Sequence, residues 1–219
     1  MDLNDYDIGA GLNKKTYEKL IEILDNFSTK EDKIRVLEFG SGMSTKFFLD
    51  YNKKKNNILD ITSFDNDLKW AYKKTPQDTC LNLLIRPLVE CNDNDFNNQI
   101  QNKILVRNAF NLRKTSPTWR QRNCFYDIKD NDIQGVFDIV IIDGPNGNGR
   151  NISYFHLINH IKPGTIVLID DFNGTDNDFN YNFIKYFNYF FEAEEIYKYE
   201  SSLVGNYNDG GNFIFFRIK

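Results

Sequence analysis

The fold is decided by the stretch Val36-Leu37-Glu38-Phe39-Gly40-Ser41-Gly42, in which an apolar run stops at two glycines separated by one serine. Residues 35–39 predict a buried strand, and residues 44–51 predict a helix that opens just after the glycines. Gly40 and Gly42 permit a positive φ and let the backbone approach a ligand closely. The stretch therefore predicts a strand, a tight turn that faces a ligand, and a helix.

Outward from this turn, apolar strands alternate with amphipathic helices. The predicted helices are residues 14–27, 44–51, 67–74, 153–161 and 179–191, and the predicted strands are residues 35–39, 59–64, 81–87, 137–142, 165–169, 195–199 and 212–218. Because each strand is mostly apolar, the sheet should be largely parallel and covered by helices on both faces. The prediction is an α/β, Rossmann-like fold whose final two strands pair antiparallel at one edge.

The stretch from about residue 90 to 134 breaks this alternation. It is polar, and it contains Pro117 and Trp119 together with several arginines. Its length exceeds that of an ordinary loop, which predicts a helix-bearing insertion or a lid that closes over the substrate. No repeat or second domain is visible elsewhere. Residues 1–219 are therefore expected to form a single domain that carries this insertion.

Composition narrows the class of protein. The formal net charge of −4 gives no electrostatic reason to expect nucleic acid as the main partner. Three cysteines without a CxxC pair indicate neither a disulfide framework nor a thiolate zinc site. No apolar stretch approaches the roughly 20 residues that span a bilayer, and residues 1–10 are polar, unlike a signal peptide. We expect a cytoplasmic protein with no membrane partner.

Acidic residues stand at the ends of several predicted strands. Glu38 precedes the first glycine, Asp65 and Asp143 end later strands, and Asp170 and Asp171 follow another. In an open α/β sheet, ligands bind beyond the carboxyl ends of the strands. These side chains are therefore expected to meet at one edge of the sheet.

The glycine turn fits S-adenosylmethionine better than a dinucleotide. A dinucleotide-binding turn requires a third glycine, or an alanine, at the position that Thr45 occupies in this chain. The negative charge of Glu38 would repel a pyrophosphate, whereas it suits a cationic or ribose-bearing ligand. Asp65 lies 25 residues beyond Gly40, where a carboxylate can accept both ribose hydroxyls. The alternative role of Asp65 is an N-cap for the helix at residues 67–74.

At this point the chain resembles the class I S-adenosylmethionine-dependent methyltransferases, over nearly all of its length. The matching segments are residues 36–42, 63–66, 137–145 and 166–171. The resemblance implies a seven-stranded sheet with the last strand inserted antiparallel. It assigns the methionine part of the cofactor to Glu38, Gly40, Ser41 and Gly42, and the ribose to Asp65. The predicted cofactor-binding set is completed by Asn66 and Asp143.

Asp143, Asp170 and Asp171 are expected to converge beside the transferred methyl group. Neighbouring carboxylates repel each other and are costly unless a cation joins them. Their oxygens suit Mg²⁺ or Mn²⁺, which would lower the pKa of an acceptor hydroxyl. The arrangement resembles the metal-dependent O-methyltransferases of the catechol type, with Asp171 in place of an asparagine. Asp143 and Asp170 are thus candidate catalytic residues and all three are candidate metal ligands; the alternative is that they cap turns or helices.

A second resemblance concerns the methyl acceptor. Residues 142–150, with an Asp-Gly-Pro turn followed by Gly-Arg, are similar to the sugar O-methyltransferases that act on glucuronic acid in plant xylan. This resemblance implies that the methyl acceptor is a sugar hydroxyl. Arg150 is a candidate for binding an acidic substrate group or for salt bridges within its own helix, and Trp119 is a candidate substrate contact. His156, close in sequence to Asp143, is a candidate general base.

The sequence thus predicts an S-adenosylmethionine-dependent O-methyltransferase, assisted by Mg²⁺ or Mn²⁺, that methylates a sugar or glycan hydroxyl. One alternative is a methyltransferase that acts on RNA or a small nucleotide, which would need a basic groove beside the cofactor. Another is a catalytically silent methyltransferase fold that serves as a binding module. A dehydrogenase is a further alternative, which the Thr45 turn disfavours.

Overall fold

The glycine turn lies at the centre of a twisted sheet. The structure is a computed structural model and describes residues 2–6, 12–28, 33–74, 78–113, 122–176, 179–200 and 211–219. The α-helices are α1 (Lys14–Ser28), α2 (Met43–Lys54), α3 (Leu68–Lys74), α4 (Asp93–Asn102), α5 (Ser153–Leu157) and α6 (Phe183–Phe190). The strands are β1 (Ile34–Phe39), β2 (Leu59–Asp65), β3 (Leu81–Ile85), β4 (Leu88–Glu90), β5 (Asn111–Leu112), β6 (Cys124–Tyr126), β7 (Ile139–Ile142), β8 (Ile166–Asp170), β9 (Thr175–Asp176), β10 (Phe179–Asn180), β11 (Ala193–Tyr199) and β12 (Phe213–Ile218).

Among the residues that the structure describes, seven strands form the main sheet, in the order β11-β12-β8-β7-β1-β2-β3. Its strands pair in parallel, except that β12 runs antiparallel to both β8 and β11. The predicted α/β fold and the inserted antiparallel strand are therefore confirmed. The chain runs from β1 outward to β3 and then returns to β7 on the other side of β1. The carboxyl ends of β1 and β7 thus form the switch point at which ligands of such sheets bind.

Both faces of the sheet are covered by apolar cores. Successive side chains of β1 point to opposite faces, so that Val36 joins one core and Leu37 the other. The predicted helices at α1, α2 and α3 begin and end within a few residues of their expected positions. No helix within the described ranges is both long and apolar enough to cross a membrane.

Two predicted helices were wrong in extent. The helix expected at residues 153–161 is only α5, preceded by a 3₁₀ turn at Asn148–Ile152. It stops early because the amide of His160 donates to the carbonyl of Leu157, 2.8 Å away, in a tighter turn that does not continue the α-helical pattern. The helix expected at residues 179–191 is also shorter than predicted. Residues 179–180 form β10, and α6 begins only after Asn182, which has a φ of 56°.

The stretch from residue 90 to 134 carries α4 and a small antiparallel sheet in the order β5-β4-β6. Strand β6 packs this insertion onto the main sheet. The ring of Phe125 lies 5.4 Å from that of Phe39, and the ring of Tyr126 lies 6.2 Å from that of Phe64. Because Phe39 and Phe64 stand at the carboxyl ends of β1 and β2, the insertion lies beside the ligand-binding edge. Its closing over a substrate stays a prediction.

Candidate functional site

The turns after β1 and β7 are in direct contact. Gly40 has a φ of +102°, and a Cβ added to it would lie 2.7 Å from the amide nitrogen of Gly144. The carbonyl of Phe39 accepts bonds from the amides of Asp143 and Gly144, at 2.9 and 2.6 Å. Glycine is therefore required at position 40 both for its backbone conformation and for space.

Glu38 stabilises this turn through hydrogen bonds. Its side chain is fully buried and accepts hydrogen bonds from the hydroxyls of Ser44, Thr45 and Ser63, each at 2.5 Å. Burial raises its pKa to about 7, against the lowering effect of the three hydroxyls. These bonds tie β1 to the first turn of α2 and to β2. Glu38 is predicted to contact the methionine part of the cofactor; in the structure its oxygens accept the three hydroxyl bonds, and the cofactor contact stays a prediction.

Ser41 and Asp65 link the turn to the end of β2. The hydroxyl of Ser41 donates to Asp65 across 3.0 Å, and the amide of Asp67 donates to the other oxygen of Asp65 across 2.7 Å. Asp67, not Asp65, caps α3, because it accepts bonds from the amides of Lys69 and Trp70. Burial raises the pKa of Asp65. Its carboxylate thus stands beside the glycine turn, as the sequence predicts, with Asn66 next to it in the chain.

Trp70 is a site residue that the sequence reasoning missed. Its indole nitrogen donates to the carbonyl of Ser41 across 3.0 Å, and the residue is 40% exposed. A Cβ added to Gly42 would lie 3.6 Å from that nitrogen. An indole fixed beside the glycine turn offers an apolar wall to a ligand. The feature of the sequence that could have indicated Trp70 is its position in the first turn of the helix that follows Asp65.

Asp143 and Asp170 stand at the ends of β7 and β8, and each affects the pKa of the other. Burial raises the pKa of Asp143 to about 6, against the lowering effect of Arg150. Burial, with the charges of Asp171 and Asp143, raises the pKa of Asp170 well above its ordinary value. The side chain of Asp143 is still 21% exposed, whereas Asp170 is buried. Burial and the neighbouring carboxylates thus favour the protonated form of Asp170. The predicted convergence of strand-end aspartates is thus present.

Arg150 stands among these carboxylates. Its Nη2 lies 3.7 Å from an oxygen of Asp143 and 3.7 Å from an oxygen of Asp171. Its Nε donates to the carbonyl of Pro145 and its Nη1 to the carbonyl of Asp170, both at 2.9 Å. Burial alone would lower its pKa, but Asp171 and Asp143 hold that pKa above its ordinary value.

The predicted metal site at Asp143, Asp170 and Asp171 does not fit this arrangement. The cation that joins the carboxylates is the guanidinium of Arg150, and a divalent ion on the same oxygens would be repelled by it. Across the described parts of the chain, no group of three or more His, Cys, Asp or Glu side chains is placed to hold a metal ion. Arg150, predicted as a substrate contact, is 3% exposed and engaged by the protein itself.

Tyr126, which belongs to the insertion, places its hydroxyl beside the turn that contains Gly144. A Cβ added to Gly144 would lie 2.5 Å from its hydroxyl. Burial raises the pKa of Tyr126 well above its ordinary value, with Asp65 as the strongest charged neighbour. Nothing in the irregular sequence around it marked this tyrosine as a site residue, because its position depends on the pairing of β6 with β4.

His156, predicted as a general base, packs against the insertion. The ring of His156 stacks on Phe125 at 5.8 Å and lines a cavity of about 60 Å³ together with Leu105 and Ile128. Burial lowers the pKa of His156 to about 4, so its imidazole is neutral near pH 7. Trp119 lies outside the residues that the structure describes.

An open groove of about 490 Å³ lies on the insertion. Its lining is mostly polar: Glu90, Cys91, Asn92, Asp95, Asn108, Ala109 and Asn111. Asn123 connects the groove to the Asp143 loop. Its side chain donates to the carbonyl of Cys91, and it exchanges two hydrogen bonds with Asn148, at 2.6 and 2.7 Å.

Comparison with known proteins bears on the fold. No protein-family model and no curated protein matches this sequence. Cofactor-bound Rv0187 from MTB is similar in structure, with a TM-score of 0.50, 13% identity and coverage of 99% of this chain and 87% of that one. An rRNA methylase from Streptococcus thermophilus has a TM-score of 0.46 at 12% identity, covering 90% of this chain and 95% of its own. A TehB-like SAM-dependent methyltransferase from Corynebacterium glutamicum has a TM-score of 0.45 at 12% identity, covering 90% and 86%. The chain has the Rossmann-like fold of the class I methyltransferases.

Proposed function

We propose that this protein transfers a methyl group from S-adenosylmethionine to a hydroxyl of a sugar or glycan. The observation that carries the proposal is the meeting of three features at the switch point of the sheet. These are the glycine turn at Gly40, the carboxylate of Asp65 and the acidic pair that begins with Asp143. S-adenosylmethionine would supply an electrophilic methyl group at this place.

The residues present suit that cofactor. The close contact of Gly40 with Gly144 joins the turns after β1 and β7 at the carboxyl edge of the sheet. Ser41 and Gly42 would hold the methionine part, and Asp65 with Asn66 would hold the ribose. Trp70 would cover one side. Glu38 keeps the turn in shape through its three hydroxyl partners.

Asp143 is the residue that would accept the proton of the acceptor hydroxyl. It is the partly exposed member of the acidic pair, and Asp170 and Arg150 fix its position from the protein side. Carboxylates that are held in place serve as general bases when the reacting hydroxyl comes within hydrogen-bond reach. The hydroxyl of Tyr126, at the neighbouring Gly144, would orient the acceptor.

The groove on the insertion supports a polyhydroxylated acceptor. Amide and carboxylate side chains, such as those of Asn108 and Asn111, exchange hydrogen bonds with hydroxyl groups. The arginines in the described part of the insertion are paired with acidic residues: Arg107 with Asp130, Arg113 with Glu90 and Arg122 with Asp93. Within those described residues, the pairing leaves little unbalanced positive charge for a nucleic-acid backbone.

Cofactor binding is tested by calorimetric titration with S-adenosylhomocysteine. Wild-type protein is expected to bind with a micromolar dissociation constant, on the order of 8 kcal/mol of binding free energy. Asp65→Ala should weaken binding by about tenfold or more, because the ribose hydroxyls lose a charged partner.

Asp60→Ala is the matched control, since Asp60 is an exposed residue on the same strand, at its other end. It should bind as the wild type does. Binding of a nicotinamide dinucleotide in place of S-adenosylhomocysteine would favour a dehydrogenase. Absence of binding to both would indicate a silent fold and end the proposal.

The acceptor is tested with radiolabelled S-adenosylmethionine and a panel of acceptors. We expect label in oligosaccharides that contain glucuronic acid, and not in RNA of matched concentration. Asn108→Ala with Asn111→Ala should raise the KM for the sugar, while S-adenosylhomocysteine binding stays unchanged. Label in RNA alone would replace the sugar proposal by the nucleic-acid alternative.

A further inference from the structure

We infer that Arg150 occupies the place of a divalent cation among the strand-end aspartates, so that this site neither needs nor admits a metal ion. Carboxylates from the ends of two neighbouring strands converge on the guanidinium instead. Asp143 follows β7, Asp170 is the last residue of β8, and Asp171 follows β8. A set of oxygen ligands of this kind suits a hard cation, and here a side chain of the same chain supplies the positive charge.

The position of the guanidinium is fixed by the backbone. Arg150 is buried, and the carbonyls of Pro145 and Asp170 accept two of its N–H groups at 2.9 Å. The planar guanidinium presents its donors in a rigid fork, so these two bonds determine where the third nitrogen points. The ring of Phe183 lies 5.9 Å from the guanidinium carbon. These contacts hold the guanidinium in place while the loop keeps its conformation.

The remaining nitrogen lies between two carboxylates. It is 3.7 Å from an oxygen of Asp143 and equally far from an oxygen of Asp171. A Mg²⁺ ion would have to come within about 2.1 Å of the same oxygens. It would then stand beside the guanidinium of Arg150, a like charge that repels it. Occupation by Arg150 and occupation by a metal are therefore mutually exclusive.

This arrangement makes Arg150 a positioning residue. It joins the turn at Pro145 to the end of β8 and holds the carboxylate of Asp143 between them. The effect of Arg150 on methyl transfer rests on the proposed function. The presence of an arginine in place of a metal ion matters to turnover only if Asp143 takes part in the reaction. The cation assignment itself rests on the geometry alone and can be tested without any substrate.

The test is a titration of the purified protein with Mn²⁺, followed by the electron paramagnetic resonance signal of free Mn²⁺. Wild-type protein is expected to leave that signal unchanged. Arg150→Ala removes the guanidinium and leaves the carboxylates, so it should bind one Mn²⁺ at least tenfold more tightly than wild type. Adding Asp143→Asn to Arg150→Ala should abolish the gained binding.

Arg35→Ala is the matched control. Arg35 also donates to two backbone carbonyls, those of Gln134 and Val136, and pairs with Asp60, but it stands at the amino end of β1. This variant should bind no more Mn²⁺ than wild type. Circular dichroism and thermal melting establish that each variant is folded before titration.

Several results would overturn the inference. One is stoichiometric Mn²⁺ binding by wild-type protein that is lost in Asp143→Asn, a measurement that does not depend on Arg150→Ala folding. Another is a folded Arg150→Ala that gains no Mn²⁺ affinity. In the wild type, turnover that persists in EDTA supports the inference and turnover that stops in EDTA contradicts it. Failure of S-adenosylhomocysteine binding would end the proposed function but leave the Mn²⁺ results as they stand.

Discussion

An Asp143→Asn variant is expected to lose nearly all methyl transfer, with kcat lowered by about 10²- to 10⁴-fold, the usual contribution of a general base. Asp143 is the member of the acidic pair that an acceptor hydroxyl can reach, since its side chain is 21% exposed. Asparagine keeps the size of the side chain but cannot take up a proton. S-adenosylhomocysteine binding should be nearly unchanged, because Gly40 and Asp65 are untouched.

Asp138→Asn is the matched control for this variant. Asp138 immediately precedes β7, as Asp143 immediately follows it, and both are aspartates packed into the protein. One oxygen of Asp138 accepts the amide of Arg35 at 2.9 Å, and the other lies 2.8 Å from the ammonium of Lys162. We expect Asp138→Asn to lower the melting temperature and to leave kcat of the folded protein in place. Equal loss of kcat in both variants would assign a structural role to Asp143.

The pH profile gives an independent readout of the same role. A base acts in its deprotonated form, and burial raises the pKa of Asp143 to about 6. Wild-type kcat/KM should therefore rise with pH through that value and level off above it. The residual activity of Asp143→Asn should lack this rise. A wild-type profile that is flat between pH 5 and 8 would remove Asp143 from proton transfer.

The fold could be predicted largely because strand ends and glycines are local signals. The apolar run at residues 35–39 and the one at residues 166–169 mark buried strands whatever packs on them. Parallel pairing then brings the carboxyl ends of those strands to one edge, which is why Asp143 and Asp170 were expected to meet. The start of α6 was missed because the turn at Asn182 depends on the β9–β10 hairpin, a contact that helical periodicity does not report.

The site was harder to predict, because the site residues that the sequence did not indicate are brought there by tertiary contacts. Acidic residues at strand ends indicate a cation, but they do not say whether a metal or a side chain supplies it. Arg150 reaches them only because the 3₁₀ turn at Asn148–Ile152 folds back over the end of β8. Tyr126 and Trp70 come from elements whose position is set by sheet pairing and helix packing. A pattern in the sequence gives the residue types at an edge, and packing decides which of them meet.

A Gly40→Ala variant is expected to bind S-adenosylhomocysteine at least tenfold more weakly than wild type and to be less stable. The strain of a positive φ in a residue with a Cβ contributes about 1–2 kcal/mol to the loss of stability. The added methyl would also lie 2.7 Å from the amide nitrogen of Gly144. That amide donates to the carbonyl of Phe39, so relief of the clash must break the junction of the two turns.

Gly164→Ala separates these two effects. Gly164 has a φ of +92°, close to that of Gly40, yet no atom of the described residues lies within 4 Å of the position that its Cβ would take. It stands before β8, at the amino end of the sheet, away from the candidate site. Its alanine variant should therefore share the backbone strain of Gly40→Ala and bind S-adenosylhomocysteine normally. Thermal melts and calorimetric titrations of both variants measure the difference. If Gly40→Ala loses no more affinity than Gly164→Ala, the contact between the β1 and β7 turns does not shape the cofactor site, and the proposed part of the Gly40 turn in cofactor binding must be abandoned.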